Sequence, residues 1–288
     1  MKKWGFFLFI VVLLGYAIFG AKEYLQQKLE DFDGKYENQG MSSINNSKTI
    51  EIVPQDQLYQ GDLILVNKDY PVHQEGVKSD IVNVSDHADL MQGYVLLDQH
   101  IRLSTYVVQK FQKMIEAAGK EGVNHFMISS GYRNSEEQDK LYQEKGADYA
   151  LPAGYSEHNL GLSLDIGSTQ SEMSKAPEGS WLQKNAWKYG FVLRYPKDKT
   201  DITGIQFEPW HFRYVGLPHS AIMQENKLVL EQYMDYIREN KSISTVVEGE
   251  AYNVSYYPIS QNIIKVPENG QYEISGNNID GVIVTVQK

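Results

Sequence analysis

Eighteen consecutive residues, Trp4 to Ala21 (WGFFLFIVVLLGYAIFGA), carry no charge and leave no polar face. A run of this length reaches the low end of what spans a bilayer core, whereas a helix buried in a folded domain normally keeps one polar side. Lys2 and Lys3 precede it and favour a cytoplasmic N-terminus with an exported body. A cleaved signal would place small residues one and three positions before the cut. Phe19 stands at the outer of these if Ala21 is the last residue, so an uncleaved anchor is expected. From Lys22 the apolar pattern fades into GKYENQGMSSINNSK, which reads as a polar stalk over residues 22–50.

Further along, LILVN near residue 65 predicts a first short strand. Val108, Phe111, Ile115 and Ala118 follow Ser104 at helical spacing, with Gly119 as the expected stop. HFMISSGYRN (125–134) predicts a buried strand entering a turn. Ser135 then opens a second helix with Gln138 at capping-box spacing. In LSLDIG (162–167), Leu162, Leu164 and Ile166 fall on one face of a strand and Ser163 and Asp165 on the other. A helix from Trp181 to Tyr189 stops at Gly190, strands FVLRYP and WHFRYVG follow, and residues 221–240 predict one long helix. From STVVEGEAYNVSYYP to Lys288 the chain is rich in β-branched residues and tyrosine, with ENG and GNN turns. Residues 241–288 therefore read as a small all-β C-terminal appendage to a domain spanning 51–240. Helix and strand alternate irregularly, which suits an α+β fold better than a doubly wound sheet.

Composition narrows the chemistry. With 27 Lys and Arg against 37 Asp and Glu the formal charge is −10, so nucleic acid is not an expected partner. The chain has no cysteine, which excludes disulfides, thiolate metal sites and a cysteine nucleophile. A bound metal has His, Asp and Glu to hold it.

Seven histidines are present, and two keep company that suggests a site. His158 lies in YSEHNLGLSLD, seven residues before Asp165, with Gly161 between them to let the backbone turn tightly into the strand. His211 lies in EPWHFRY, three residues after Glu208. Two His and one carboxylate form the ligand set of a catalytic zinc site, and Glu208 is placed to serve as the base that hydrolysis needs. Each element has a plain alternative: His158 bonded to Ser156 in a loop, Asp165 paired with an arginine, His211 packed on an aromatic strand.

SEHNLGLSLD together with EPWH resembles the Ser-x-His-x-x-Gly-x-Ala-x-Asp and Glu-x-x-His signatures of the VanY-type zinc D-Ala-D-Ala carboxypeptidases, with Ser163 at the usual alanine position. The resemblance implies the Hedgehog-like zinc peptidase fold, a Zn2+ cofactor held by His158, Asp165 and His211, and Glu208 as catalytic base. In SGYRNSEEQ it implies a catalytic Arg133, aimed at the oxyanion, and a substrate-binding Gln138, with Ser156 as a second donor to the terminal carboxylate. Gln138 has an alternative as capping partner of Ser135. Tyr132 and Tyr155 flank the two motifs as candidate pocket walls, Trp210 is expected to pack beneath the site, and Glu136 and Glu137 read as solvated helix surface.

The resemblance further implies a peptidoglycan stem peptide ending in D-Ala-D-Ala as substrate, vancomycin resistance as context, and the outer face of a bacterial cytoplasmic membrane as location. The rivals are an L,D-carboxypeptidase acting on tetrapeptides and a non-catalytic cell-wall binding module. A penicillin-binding type serine enzyme is disfavoured, because neither Ser-x-x-Lys nor Lys-Thr-Gly occurs in the chain.

Overall fold

The computed structural model describes residues 48–51, 57–147, 149–261, 263–266 and 271–287. The apolar segment 4–21 and all but the end of the expected stalk lie outside them. Among the described residues no helix is long and apolar enough to cross a membrane. The chain runs through β1 (Lys48–Glu51), β2 (Ile81–Asn83), β3 (Val95–Leu96), β4 (Arg102–Ser104), α1 (Thr105–Lys120), β5 (Phe126–Ser130) and α2 (Ser135–Lys145). It continues with β6 (Ser163–Ser168), α3 (Pro177–Asn185), β7 (Phe191–Leu193), α4 (Thr200–Thr203), β8 (His211–Tyr214), α5 (His219–Asn226) and α6 (Leu230–Asn240). Five strands end it: β9 (Ser242–Val247), β10 (Glu250–Pro258), β11 (Ile263–Val266), β12 (Gln271–Gly276) and β13 (Gly281–Gln287). The fold is α+β.

The central sheet has the order β3-β5-β6-β8-β7, antiparallel except for the β3–β5 pair. Its two faces are chemically different because side chains alternate along each strand. Leu164 of β6 lies opposite Phe212 of β8, and both belong to a core closed by α1, whose Val107, Val108, Phe111, Met114, Ile115 and Ala118 are buried at helical spacing. On the other face Ser163 lies opposite Arg213, and Asp165 opposite His211. The register that buries Leu164 and Phe212 thus brings the two polar residues side by side. A slip of one residue would send them to opposite faces.

Several local expectations are corrected. LILVN is not a strand: its buried residues run as an irregular segment whose backbone is satisfied largely by side chains and, at Leu65 N–H, by the Asn277 carbonyl. Leu63 N–H donates to Ser275 Oγ (2.9 Å), and the carbonyls of Asp62 and Ile64 accept from Arg213 Nη2 (3.0 and 2.8 Å). Gly119 lies inside α1, which continues to Lys120. The cap of α2 is Asn134, with Glu137 as its reciprocal partner, one residue before the Ser135–Gln138 pairing that the spacing suggested. The long helix over 221–240 is two helices, broken where Lys227 adopts a left-handed conformation (φ 53°). The break lets Ile222 and Met223 of α5 pack in the same cluster as Leu230, Tyr233, Met234 and Ile237 of α6.

The C-terminal strands form an antiparallel sheet ordered β12-β13-β10-β9. Its Val254, Tyr256 and Ile283 share that α5–α6 cluster with Leu63 and Leu65, so this sheet has no separate core on that side. His219, at the start of α5, ties the layers together. Its Nδ1 lies 2.7 Å from the Tyr233 hydroxyl of α6 and its Nε2 2.9 Å from Thr285 Oγ1 of β13.

Burial pushes His219 down to about 3, against about 6.5 for an unfolded histidine. Between those values the unfolded chain binds the extra proton, so this residue's contribution is complete above about pH 6.5 and shrinks as pH falls toward 3. Urea unfolding should therefore show the protein losing about 2 kcal/mol more between pH 7 and pH 5 than His219→Gln. Parallel pH profiles for the two proteins would contradict the neutral buried histidine.

Candidate metal centre

His158 reaches the site from a short 3-10 turn, Glu157–Asn159, capped by Ser156, whose Oγ accepts from the His158 backbone N–H (3.3 Å). Gly161 then takes φ +81° to enter β6, and a Cβ there would stand 2.4 Å from Ile81 Cδ1. Asp165 and His211 follow from the register of β6 and β8. His158 Nδ1 lies 2.6 Å from the Gly131 carbonyl, and a carbonyl only accepts. The proton is therefore on Nδ1, and the Nε2 lone pair is free. His211 Nε2 lies 3.3 Å from Glu157 Oε2, which leaves Nδ1 as its free nitrogen.

The free atoms converge. His158 Nε2 and His211 Nδ1 are 3.2 Å apart, and each stands close to Asp165 Oδ1, at 3.4 and 3.1 Å. Asp165 Oδ1 is buried without a hydrogen-bond partner. Two imidazole nitrogens and a carboxylate oxygen facing one point need positive charge between them, which a proton or a metal cation supplies. Tetrahedral zinc with bonds of about 2.0–2.1 Å sets its ligand atoms about 3.3 Å apart. The donor set therefore fits zinc in both type and spacing, and these three residues are a candidate metal cluster.

Charge around the triad is arranged by burial and contact. Burial alone would raise Asp165, but the imidazoles of His158 and His211 hold its carboxyl well below the usual range. Burial, with Arg133 nearby, lowers His158 to about 4. For His211 burial is outweighed by the Asp165 and Glu157 carboxylates, which lift it to about 9, so a metal entering the triad takes the place of a proton on Nδ1. Glu208 Oε2 stands 3.8 Å from His211 Nδ1, and burial pushes this carboxyl up to about 7. A group that takes and returns a proton near neutrality works best in that range.

The triad opens onto a cavity of about 920 Å³, lined also by Arg133, Gln138, Ser156, Glu208, Tyr195 and Trp210. Arg133 is held on two sides: Nε donates to Gln138 Oε1 (2.8 Å) and Nη1 to Ser130 Oγ (2.6 Å). Gln138 is buried; its Oε1 accepts from Arg133 and one N–H of its Nε2 donates to the Leu151 carbonyl (2.6 Å). It does not cap α2, and its NH2 carries a second N–H beside the one given to Leu151. Of the two tyrosines expected as walls, neither is among the cavity-lining residues; Tyr132 instead packs under the Arg102 guanidinium, 5.1 Å from the ring centre. Trp210 is 36% exposed at the cavity and not beneath the site. Glu137 lies on the solvated helix surface as expected, where it also pairs with Arg102 and closes the α2 cap.

Sequence reasoning missed Tyr195, whose ring centre is 4.8 Å from that of His211, and the buried group formed by Glu157, Arg194 and Arg213. A signal was present. The alternation that puts Asp165 and His211 on the polar face puts Arg213 there too, and a buried arginine demands a carboxylate. Ser163, the departure from the family pattern, turns its hydroxyl to Glu157 Oε2 (3.1 Å).

A metal-ligand triad with a buried carboxyl beside it and a fixed guanidinium in the same cleft is the equipment of a metal-dependent hydrolase. The profile of VanY, D-alanyl-D-alanine carboxypeptidase, matches residues 100–217. A D-alanyl-D-alanine carboxypeptidase of Enterococcus faecium is 57% identical over 295 residues, 99% of this chain and 96% of that protein. Among solved structures, the vancomycin resistance D,D-dipeptidase VanXYg, in complex with a D-Ala-D-Ala phosphinate analog, superposes with a TM-score of 0.72. It is 34% identical and covers 84% of this chain and 99% of its own. A VanY D,D-pentapeptidase from a VanB-type resistance cassette, in complex with Zn(II), is 31% identical with a TM-score of 0.50, over 60% of this chain and 98% of that one. The chain belongs to the VanY family of D-alanyl-D-alanine carboxypeptidases.

Equilibrium dialysis against zinc should give about one equivalent per chain, and Asp165→Ala should weaken that binding by at least about 100-fold. Undiminished uptake by the variant would place the metal elsewhere.

Proposed function

We propose that this enzyme is a zinc-dependent D,D-carboxypeptidase that removes the terminal D-Ala from peptidoglycan precursor pentapeptides ending in D-Ala-D-Ala. In this reading residues 4–21 anchor it in the bacterial cytoplasmic membrane, the catalytic domain faces outward, and the activity contributes to vancomycin resistance. The observation that carries the metal chemistry is the convergence of Asp165 Oδ1, His158 Nε2 and His211 Nδ1 on one point, with Glu208 next to them. The relatives' substrates support the choice of peptide.

Zinc held by His158, Asp165 and His211 would supply a Lewis acid for the scissile carbonyl and lower the pKa of water toward about 7. Glu208 takes the proton of the attacking water and delivers it to the amine of the departing D-Ala. Its burial keeps bulk water from competing for that proton. Arg133, locked by Gln138 and Ser130, faces the oxygen that gains charge as the carbonyl becomes tetrahedral. A fixed guanidinium stabilises that state more than the ground state. Ser156 lines the cavity and offers its hydroxyl to the substrate's terminal carboxylate. Gln138 lines the same cavity, fixes Arg133 through its amide oxygen and keeps a second N–H for the substrate's carboxylate.

Zinc-loaded protein should release D-Ala from a pentapeptide, lose the activity to a chelator, and regain it with zinc. A tetrapeptide offered alongside should be a poor substrate, and preferential release from it would replace this reading with the L,D-carboxypeptidase. Glu208→Ala should lower kcat by about 10²–10⁴-fold while zinc content stays unchanged, and an active variant would remove Glu208 from the mechanism. A β-lactam at concentrations that acylate serine enzymes should leave the rate unaltered.

A further inference from the structure

Beside the metal triad lies a group of charges that the mechanism does not use. Glu157 is fully buried, between Ser156 and the ligand His158, and each of its oxygens accepts two hydrogen bonds. Oε1 accepts from Arg194 Nε (2.7 Å) and Arg213 Nη1 (2.8 Å). Oε2 accepts from Ser163 Oγ (3.1 Å) and faces His211 Nε2 at 3.3 Å. The two guanidiniums are themselves held. Arg194 makes a two-pronged pair with Glu231 of α6 (2.7 and 2.8 Å), and Arg213 donates to the carbonyls of Asp62, Ile64 and Tyr214. All of this lies on the face of the sheet that carries Asp165 and His211.

A histidine can ligate a metal through either nitrogen, and the one left bare is set by where the other places its proton. We propose that Glu157 is a positioning residue for the metal centre: clamped between Arg194 and Arg213, its carboxylate takes the Nε2–H of His211 and so turns the Nδ1 lone pair toward His158 and Asp165. This rests on the metal reading above and extends it to the shell behind the ligands. Ser163 belongs to the same device, because its hydroxyl supplies the fourth donor to Glu157 and does not point at the metal position.

The change Glu157→Gln tests the idea because it keeps the shape and inverts one end. The amide oxygen stays with the two guanidiniums, the stronger donors. The NH2 group then meets His211 Nε2, donor against donor. The imidazole relieves that clash by moving its proton to Nδ1, the atom the metal needs. Zinc affinity, measured by competition with a chromophoric chelator, should fall by about 10–100-fold, the usual consequence of losing such a partner. Ser163→Ala removes only one neutral donor and should cost about fivefold or less. It reports on the same device should Glu157→Gln fail to fold.

A second readout needs no variant. In zinc-loaded wild type, nitrogen-15 NMR should show His211 protonated at Nε2 and metal-bound at Nδ1, with an Nε2 proton that exchanges slowly. Equal zinc affinity for wild type and a folded Glu157→Gln, or an Nε2-bound metal at His211, would overturn the proposal while leaving the zinc enzyme intact. A wild-type chain that takes up no zinc would overturn both.

Discussion

Asp165 and His211 are neighbours because two antiparallel strands pair in one register, and the rest of the site is built around that pairing. The register does not rest on the two candidate ligands alone. It is enforced from behind, where Leu164 meets Phe212 in a core that α1 completes. Hydrophobic burial of about 1.5–3 kcal/mol per large side chain fixes the strand pairing that keeps Asp165 and His211 within reach of each other. The apolar face of the sheet is in this sense the scaffold of the polar one.

The polar face needs its own solution, since carboxylates and guanidiniums under a second layer are costly unless every charge is matched. Glu157 stands between two arginines, Arg194 continues to Glu231, and Arg213 ends on backbone carbonyls of a segment with no strand partner. Those carbonyls explain why residues 62–66 are irregular. The segment gives its acceptors to a side chain rather than to a neighbouring strand, and a period-of-two reading of LILVN has no access to that choice.

Much of the sheet and the site was legible in the sequence, because alternation and short motifs are local. LSLDIG and WHFRY showed which residues share a face, and the SEHNLGLSLD and EPWH spacings gathered the candidate ligands. What stayed hidden depends on distance or on competition between near-equal local choices. Asn134 and Ser135 are both good caps, and the structure uses the first, which frees Gln138 to hold Arg133. The break at Lys227 follows from two helices needing to face one core, which no window of twenty residues reveals. Tyr132 and Tyr155 were read as walls for their place beside motifs, whereas Tyr195, far from both in sequence, is the aromatic that lies against His211.

Leu63 N–H donates to Ser275 Oγ, 212 residues later, and Leu65 N–H donates to the carbonyl of Asn277. The segment that accepts from Arg213 is therefore bracketed by the last strands of the chain. During synthesis, which proceeds from the N-terminus, the candidate ligands and Glu208 emerge well before the strands that hold this bracket. Closing so long a loop costs entropy that is recovered only when the final sheet docks. The order of emergence thus separates the arrival of the catalytic groups from the completion of their support, and the enzyme ripens from its tail.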